Sequence, residues 1–282
     1  MVEWLTEPLR YGFAVRGLLA GLFAAVSCAA LSAFVVWRGM AFIGDAVAHS
    51  ILPGIVVAYI LGFSFFSGAL VAAFVTALGI GLLTRRQSMR EDTAIGVIFT
   101  GLFALGIILL SRITTYQDLS HVLLGNILGV SRTDVFVLIA ISILVGLTVL
   151  LFFKEILVTS FDHGHAKVIG LSPEIIRYGL LFLIALTVVS GIQTVGVVLV
   201  LALLVTPAAI GSLISKRMRV VIVISEAVAV FSSITGFYLS YYLDLASGAS
   251  IVLVLSFVFA VVYMVNGVRN YLQTRYKKDE AI

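Results

Sequence analysis

The sequence predicts an all-α polytopic membrane protein of about nine transmembrane helices, and three observations carry that prediction. Apolar residues make up 61% of the 282-residue chain and charged residues only 11%, against about 25% charged in soluble domains. The mean hydropathy is +1.19. The apolar residues collect in runs of the roughly 17–25 residues that cross a bilayer as a helix, and the basic residues fall unevenly between alternate runs.

Taken in order, the runs lie near residues 13–37, 41–63, 65–84, 93–111, 134–153, 174–192, 194–214, 219–240 and 249–267. The first holds Gly17 and Gly21, and the fourth holds Gly101 and Gly106, small residues that permit close helix packing. The second is unusual in carrying Asp45, His49 and Pro53 inside a span. The seventh carries Pro207 about two-thirds of the way along. Two connections are more than turns. Residues 117–130 are too short and too polar to span and predict a short helix on the outer face. Residues 163–172 predict two helical turns on the inner face, after which Ser172 and Pro173 suit the N-cap and first position of the next helix. No internal repeat or low-complexity segment interrupts residues 1–282, which read as one transmembrane domain with a tail at 268–282.

Orientation follows from lysine and arginine. With the N-terminus outside, 14 of the 18 basic residues face inward, and only Arg10, Arg16, Arg112 and Arg132 stay outside. That bias predicts an outer N-terminus and a cytoplasmic C-terminal tail. The opening segment MVEWLTEPLR carries two acidic residues and no basic stretch before its apolar run, so a cleaved signal peptide is not expected. The single cysteine, Cys28, excludes an intrachain disulfide and a thiolate metal cluster.

Asp45 and His49 are the sharpest functional signal. At i, i+4 they share one helix face. A carboxylate near mid-bilayer costs about 2.5–3.5 kcal/mol even on the lenient insertion scale, so it marks a functional site by default. Carboxylate and imidazole suit divalent transition metals. Two ligands do not hold such an ion, but a symmetric dimer doubles the set. The competing reading is a polar pair that hydrogen-bonds between helices. Pro53 cannot donate to the His49 carbonyl, which frees that oxygen. Pro207 releases the Leu203 carbonyl, with Thr206 available to satisfy the backbone nearby; this breaks the span as pathway-lining helices do, or simply kinks it for packing. Glu226, about two turns from the inner end of its span, either lines a pathway or snorkels. His121, near Asp118 in the outer segment, is a pathway-entry ligand or a solvated residue. Asp162, His163 and His165 suit a contact surface better than a metal site. No Walker phosphate loop, H-E-x-x-H or G-x-S-x-G is present, so neither ATP hydrolysis nor proteolysis is expected of this chain, and an enzyme is not expected.

These segments together resemble one family. Residues 44–54 (GDAVAHSILPG), 91–99 (EDTAIGVIF), 119–131 (LSHVLLGNILGVS), 165–174 (HAKVIGLSPE), 195–209 (VGVVLVLALLVTPAA) and 243–253 (LDLASGASIVL) match, in order, the membrane permease subunit of ABC importers for manganese, zinc and iron(II). The resemblance runs from about residue 10 to residue 266, and more distantly to vitamin B12 and siderophore permeases. It implies a type II ABC importer-like bundle in a bacterial inner membrane. It implies that Asp45 and His49 coordinate the transported ion. It places His165, Lys167, Gly170 and Leu171 on a coupling helix against an ATPase, and residues 119–129 at an outer gate. The implied partners are a second copy of the chain, two cytoplasmic ABC ATPase subunits that bind the ATP, an extracytoplasmic solute-binding protein and membrane lipid, with no nucleic acid. No cofactor is expected to be permanently bound. Manganese is the expected cargo, with zinc or iron(II) next. Ala246 stands where many members carry proline, and Glu226 belongs to no motif of the family. The alternatives are an ion-coupled secondary metal transporter, which should carry more intramembrane carboxylates and inverted repeats, and a type II permease for a metal chelate, which the Asp45/His49 pair disfavours.

Overall fold

The computed structural model describes residues 6–85, 89–112 and 129–279. The outer helix expected over 117–130, with Asp118 and His121, lies almost wholly outside the described residues. Twelve α-helices are described: α1 (Gly12–Trp37), α2 (Ile43–Ser50), α3 (Leu52–Leu61), α4 (Phe65–Leu83), α5 (Glu91–Leu110), α6 (Arg132–Leu151), α7 (Phe153–Phe161), α8 (His163–Val168), α9 (Pro173–Val195), α10 (Val197–Ile214), α11 (Met218–Leu243) and α12 (Ser247–Asp279). Among the described residues, nine segments are long and apolar enough to cross a membrane, α2 and α3 together forming one of them. Their ends fall within about three residues of the apolar runs in the sequence.

Helix α1 is the centre of the bundle. It packs against α6, α9, α10 and α11, and no span is more deeply buried. Its sequence explains this. Ala20, Ala24 and Cys28 recur every fourth residue, as do Ala25, Ala29 and Ala33, and all six are buried. Small side chains let backbones approach, which drives helix association where lipid offers no hydrophobic contrast. Helices α5 and α12 are the least buried spans.

The second span is split. Pro53 sits in the first turn of α3, where its missing N–H leaves the ladder one bond short, and the chain resets at Ile51 between α2 and α3. Just beyond, α3 and α4 meet at Gly54 and Gly68. A Cβ built on Gly54 would lie 2.2 Å from the Gly68 carbonyl oxygen, and one on Gly68 would lie 2.3 Å from that of Gly54. The expected packing glycines are less uniform. Gly106 is pressed against Leu52, but Gly101 faces open space.

Pro207 corrects an expectation. Helix α10 runs without a break from Val197 to Ile214 with Pro207 inside it, and Thr206 makes no hydrogen bond to the nearby backbone. One lost backbone bond is tolerated here because α10 is held by α1, α11 and α12, and Leu203, Leu204, Pro207 and Ala208 are all buried. The sharp turn comes earlier, at Gly196, the single residue between α9 and α10, with φ +91° and ψ 159°. Only glycine adopts that backbone readily.

Ionic contacts tie the helix ends near α8. Arg38, at the end of α1, forms a two-point ion pair with Glu91 at the start of α5. Arg85, after α4, pairs with Glu174 of α9 at 3.0 Å. Arg177 of α9 is buried and donates to the carbonyls of Thr84 and Gly81, each at 2.8 Å.

Candidate functional site

Helix α2 is only eight residues long and carries Asp45 in its first turn and His49 in its last. The i, i+4 spacing brings them together: His49 Nε2 lies 3.3 Å from Asp45 Oδ1, with the two side chains 34% and 43% exposed. The rest of α2 anchors them. Ile43, Ala46, Val47, Ala48 and Ser50 are buried. Gly44 is pressed against Leu201 and Leu204 of α10, where a Cβ would come within 2.8 Å of Leu201. Ser50 Oγ and Thr76 Oγ1 share a buried hydrogen bond of 2.7 Å that fixes α2 to α4.

The His49 ring lies against two aromatic rings of α5, with centroids 5.8 Å from Phe99 and 5.3 Å from Phe103. Its Nδ1 is buried and has no hydrogen-bond partner. Leaving such a nitrogen unpaired costs about 1–3 kcal/mol. The site is therefore an anionic oxygen and an imidazole at the edge of an apolar wall. Among the described residues no group of three or more His, Cys, Asp or Glu is placed to hold a metal ion. Among the described residues, the pair therefore stands as two candidate donors, one oxygen and one nitrogen.

The other sequence-derived candidates lie apart. Pro53 is buried one turn beyond His49, and Pro207 is buried in α10 one turn beyond Leu204. Glu226 is half-buried on α11, which packs on α1, α10 and α12. It is not gathered with Asp45 and His49 among the described residues. Near the other end of α9, Asp162 caps α8 by accepting from the His165 backbone N–H at 2.8 Å. His165, Lys167 and Gly170 are exposed and Leu171 is half-buried. Gly170 takes φ +83°, turning the chain so that the Leu171 N–H reaches the Ala166 carbonyl at 3.0 Å.

Some residues escaped the sequence reading. Phe99 and Phe103 were legible only as parts of an apolar span, although their i, i+4 spacing put them on one face. Val168 and Ile169 at the α8 turn are apolar yet 85% and 52% exposed.

A helix bundle of this kind, with a carboxylate–imidazole pair inside a split span and a short helix beyond the membrane segments, has the layout of a polytopic membrane protein of the transport class. Residues 10–266 match the ABC 3 transport family, and the chain belongs to that family. It is 42% identical over 271 residues to the manganese transport system membrane protein MntC of Halalkalibacterium halodurans, covering 96% of this chain and 92% of that one. It is 39% identical over 265 residues to the chelated iron transport system membrane protein YfeD of Yersinia pestis, covering 94% and 89%. Its fold superposes on PsaBC from Streptococcus pneumoniae, solved in complex with Fab, with a TM-score of 0.82 at 33% identity over 97% of this chain and 99% of that one. A metal-chelate type ABC transporter in an inward-facing conformation shares the fold at TM-score 0.70 and 16% identity, covering 89% and 85%.

Proposed function

We propose that this chain is the permease subunit of an ATP-driven importer for divalent transition-metal ions, with manganese the foremost cargo and iron(II) or zinc next. The observation that carries the reading is the Asp45–His49 pair, 3.3 Å apart on one turn of a split span. Two copies related by a two-fold axis supply two carboxylates and two imidazoles without recruiting another residue, so one ion binds per dimer. The aromatic wall of Phe99 and Phe103 keeps water from the imidazole side, and the ion exchanges its hydration shell for protein oxygen and nitrogen. The names of the relatives support a metal cargo, and the ligand chemistry supports a bare ion over a chelate.

Two ATPase subunits dock on α8 from the cytoplasm, reading Val168, Ile169, Gly170 and Leu171 together with the polar flank of His165 and Lys167. A solute-binding protein delivers the ion from outside. ATP-driven motion enters through α9 and separates the half-sites, weakening the hold on the ion. The N-terminus lies outside and the C-terminal tail lies in the cytoplasm.

The test is uptake of radioactive manganese by cells or proteoliposomes carrying the full transporter. Asp45→Ala and His49→Ala are each expected to abolish uptake while the chain still inserts and assembles. Both side chains are partly exposed and their removal creates no steric conflict. Wild-type uptake by both variants overturns the reading.

A further inference from the structure

We propose that the cavity between the α6–α7 elbow and the start of α11 binds one phospholipid, a phosphatidylglycerol whose phosphate is held by Lys154 and Arg219. The cavity holds about 470 Å³. Its apolar part comes from Val149 and Leu150 in the last turn of α6 and from Ile222 and Val223, one turn into α11. Its polar end comes from Lys154 and Glu155 at the start of α7 and from Arg219 at the start of α11. Spans α6 and α11 both end here. The charged groups therefore stand at headgroup level and the apolar walls one turn deeper, the same polar-to-apolar order as a lipid molecule. Basic pockets between transmembrane helices at this level bind lipid headgroups. In the orientation proposed above, this is the inner leaflet.

The charges are free to take a ligand. Neither Lys154 nor Arg219 is in an ion pair among the described residues. The Arg219 guanidinium lies 5.4 Å over the Phe153 ring, a contact that leaves its edge donors available. Glu155 lines the same cavity, and its Oε2 has no hydrogen-bond partner. Among the described residues, two cations outside any ion pair and one carboxylate with an unpartnered oxygen therefore line one groove. A phosphodiester neutralises the single excess positive charge, and the two hydroxyls of a glycerol headgroup are donors for Glu155. Phosphatidylethanolamine would leave the net charge in place, and phosphatidylcholine has no N–H or O–H donor for Glu155.

The experiment is native mass spectrometry of the delipidated full-length chain, titrated with phosphatidylglycerol, phosphatidate, phosphatidylethanolamine and phosphatidylcholine. One phosphatidylglycerol per chain should be retained in preference to the other three. Lys154→Gln and Arg219→Gln should each weaken it about fivefold, and the double variant about thirtyfold, from the usual worth of a basic residue at the membrane surface. Glu155→Leu should narrow the gap between phosphatidylglycerol and phosphatidate, which lacks the glycerol head. Arg132→Gln, at the opposite end of α6, should change nothing. Retention of all four lipids alike, unaffected by the double variant, marks ordinary annular lipid and overturns the proposal. Preference for phosphatidylethanolamine overturns the headgroup assignment. Shielding of Lys154 from amine labelling by an ATPase subunit in a lipid-free complex assigns the groove to protein and also overturns it.

Discussion

Replacing Arg177 by methionine should destabilise the chain by about 3 kcal/mol, the low end of two charge-assisted hydrogen bonds at about 1.5–3 kcal/mol each. Arg177 is 5% exposed and donates to the carbonyls of Gly81 and Thr84, at the C-terminal end of α4, where a helix runs out of internal donors. Its positive charge also meets the negative end of the helix. The low end is the right choice because Gly81 O keeps a long contact of 3.4 Å from Thr84 Oγ1, and methionine retains the packing of the arginine stem. At about 2–4 °C per kcal/mol for a chain of this size, the melting temperature in detergent should fall by roughly 6–12 °C. Arg177→Lys keeps the charge but not the fork, and should fall about half as far. The consequence reaches beyond stability. Arg177 lies shortly after α8 and grips α4, which is bonded to α2 through Thr76 and Ser50. In the assembled transporter, Arg177→Met should therefore leave ATP hydrolysis running while metal uptake falls. A variant that melts within about 2 °C of the parent, or a lysine variant no better than methionine, would refute the capping argument. Normal uptake per ATP would refute the mechanical one.

Three further outcomes are expected. Gly54→Ala must push α3 from α4, because the new methyl would sit 2.2 Å from the Gly68 carbonyl oxygen; the yield of folded protein on size exclusion should drop sharply, while Gly101→Ala, facing open space, should be neutral. Ser50→Ala and Thr76→Val should each cost about 1 kcal/mol, and a double-mutant cycle by thermal unfolding should give a coupling of about 0.5–1.5 kcal/mol; strict additivity would show that the 2.7 Å contact carries no energy. Crosslinkers at Val168 and Ile169 should capture the ATPase subunit from the cytoplasmic side, and reaction only from outside would reverse the proposed topology.

Much of the bundle was written in the hydropathy pattern, because apolar length is what a bilayer demands and few compact alternatives satisfy it. Asp45 and His49 were legible for the same reason: polar groups are conspicuous in an apolar run, and i, i+4 spacing fixes their relation. What escaped depended on contacts between distant segments. Arg177 read as one more basic residue on the inner side, whereas its side chain turns back into the protein to find two carbonyls some ninety positions earlier. Phe99 and Phe103 gave no sign that they would flank an imidazole. Of the two readings of Pro207, the broken span did not appear, because the propensity argument concerns an isolated helix and α10 is gripped from several sides. Glu226 is conspicuous in the sequence, and among the described residues the fold gathers it into no cluster of three or more metal-ligating side chains.

The one-residue joint at Gly196 has a consequence for how the protein is made and how it moves. Two spans joined without a loop leave no slack, and Val200 presses against Gly191 across the bend. A joint this short favours insertion of the two spans as a pair. The pair links two places: α9, 23 residues long, begins just after the α8 turn, and α10, 18 residues long, bears Leu201 and Leu204 against Gly44. On the function proposed above, a displacement at the α8 end would reach α2 through this one-residue joint.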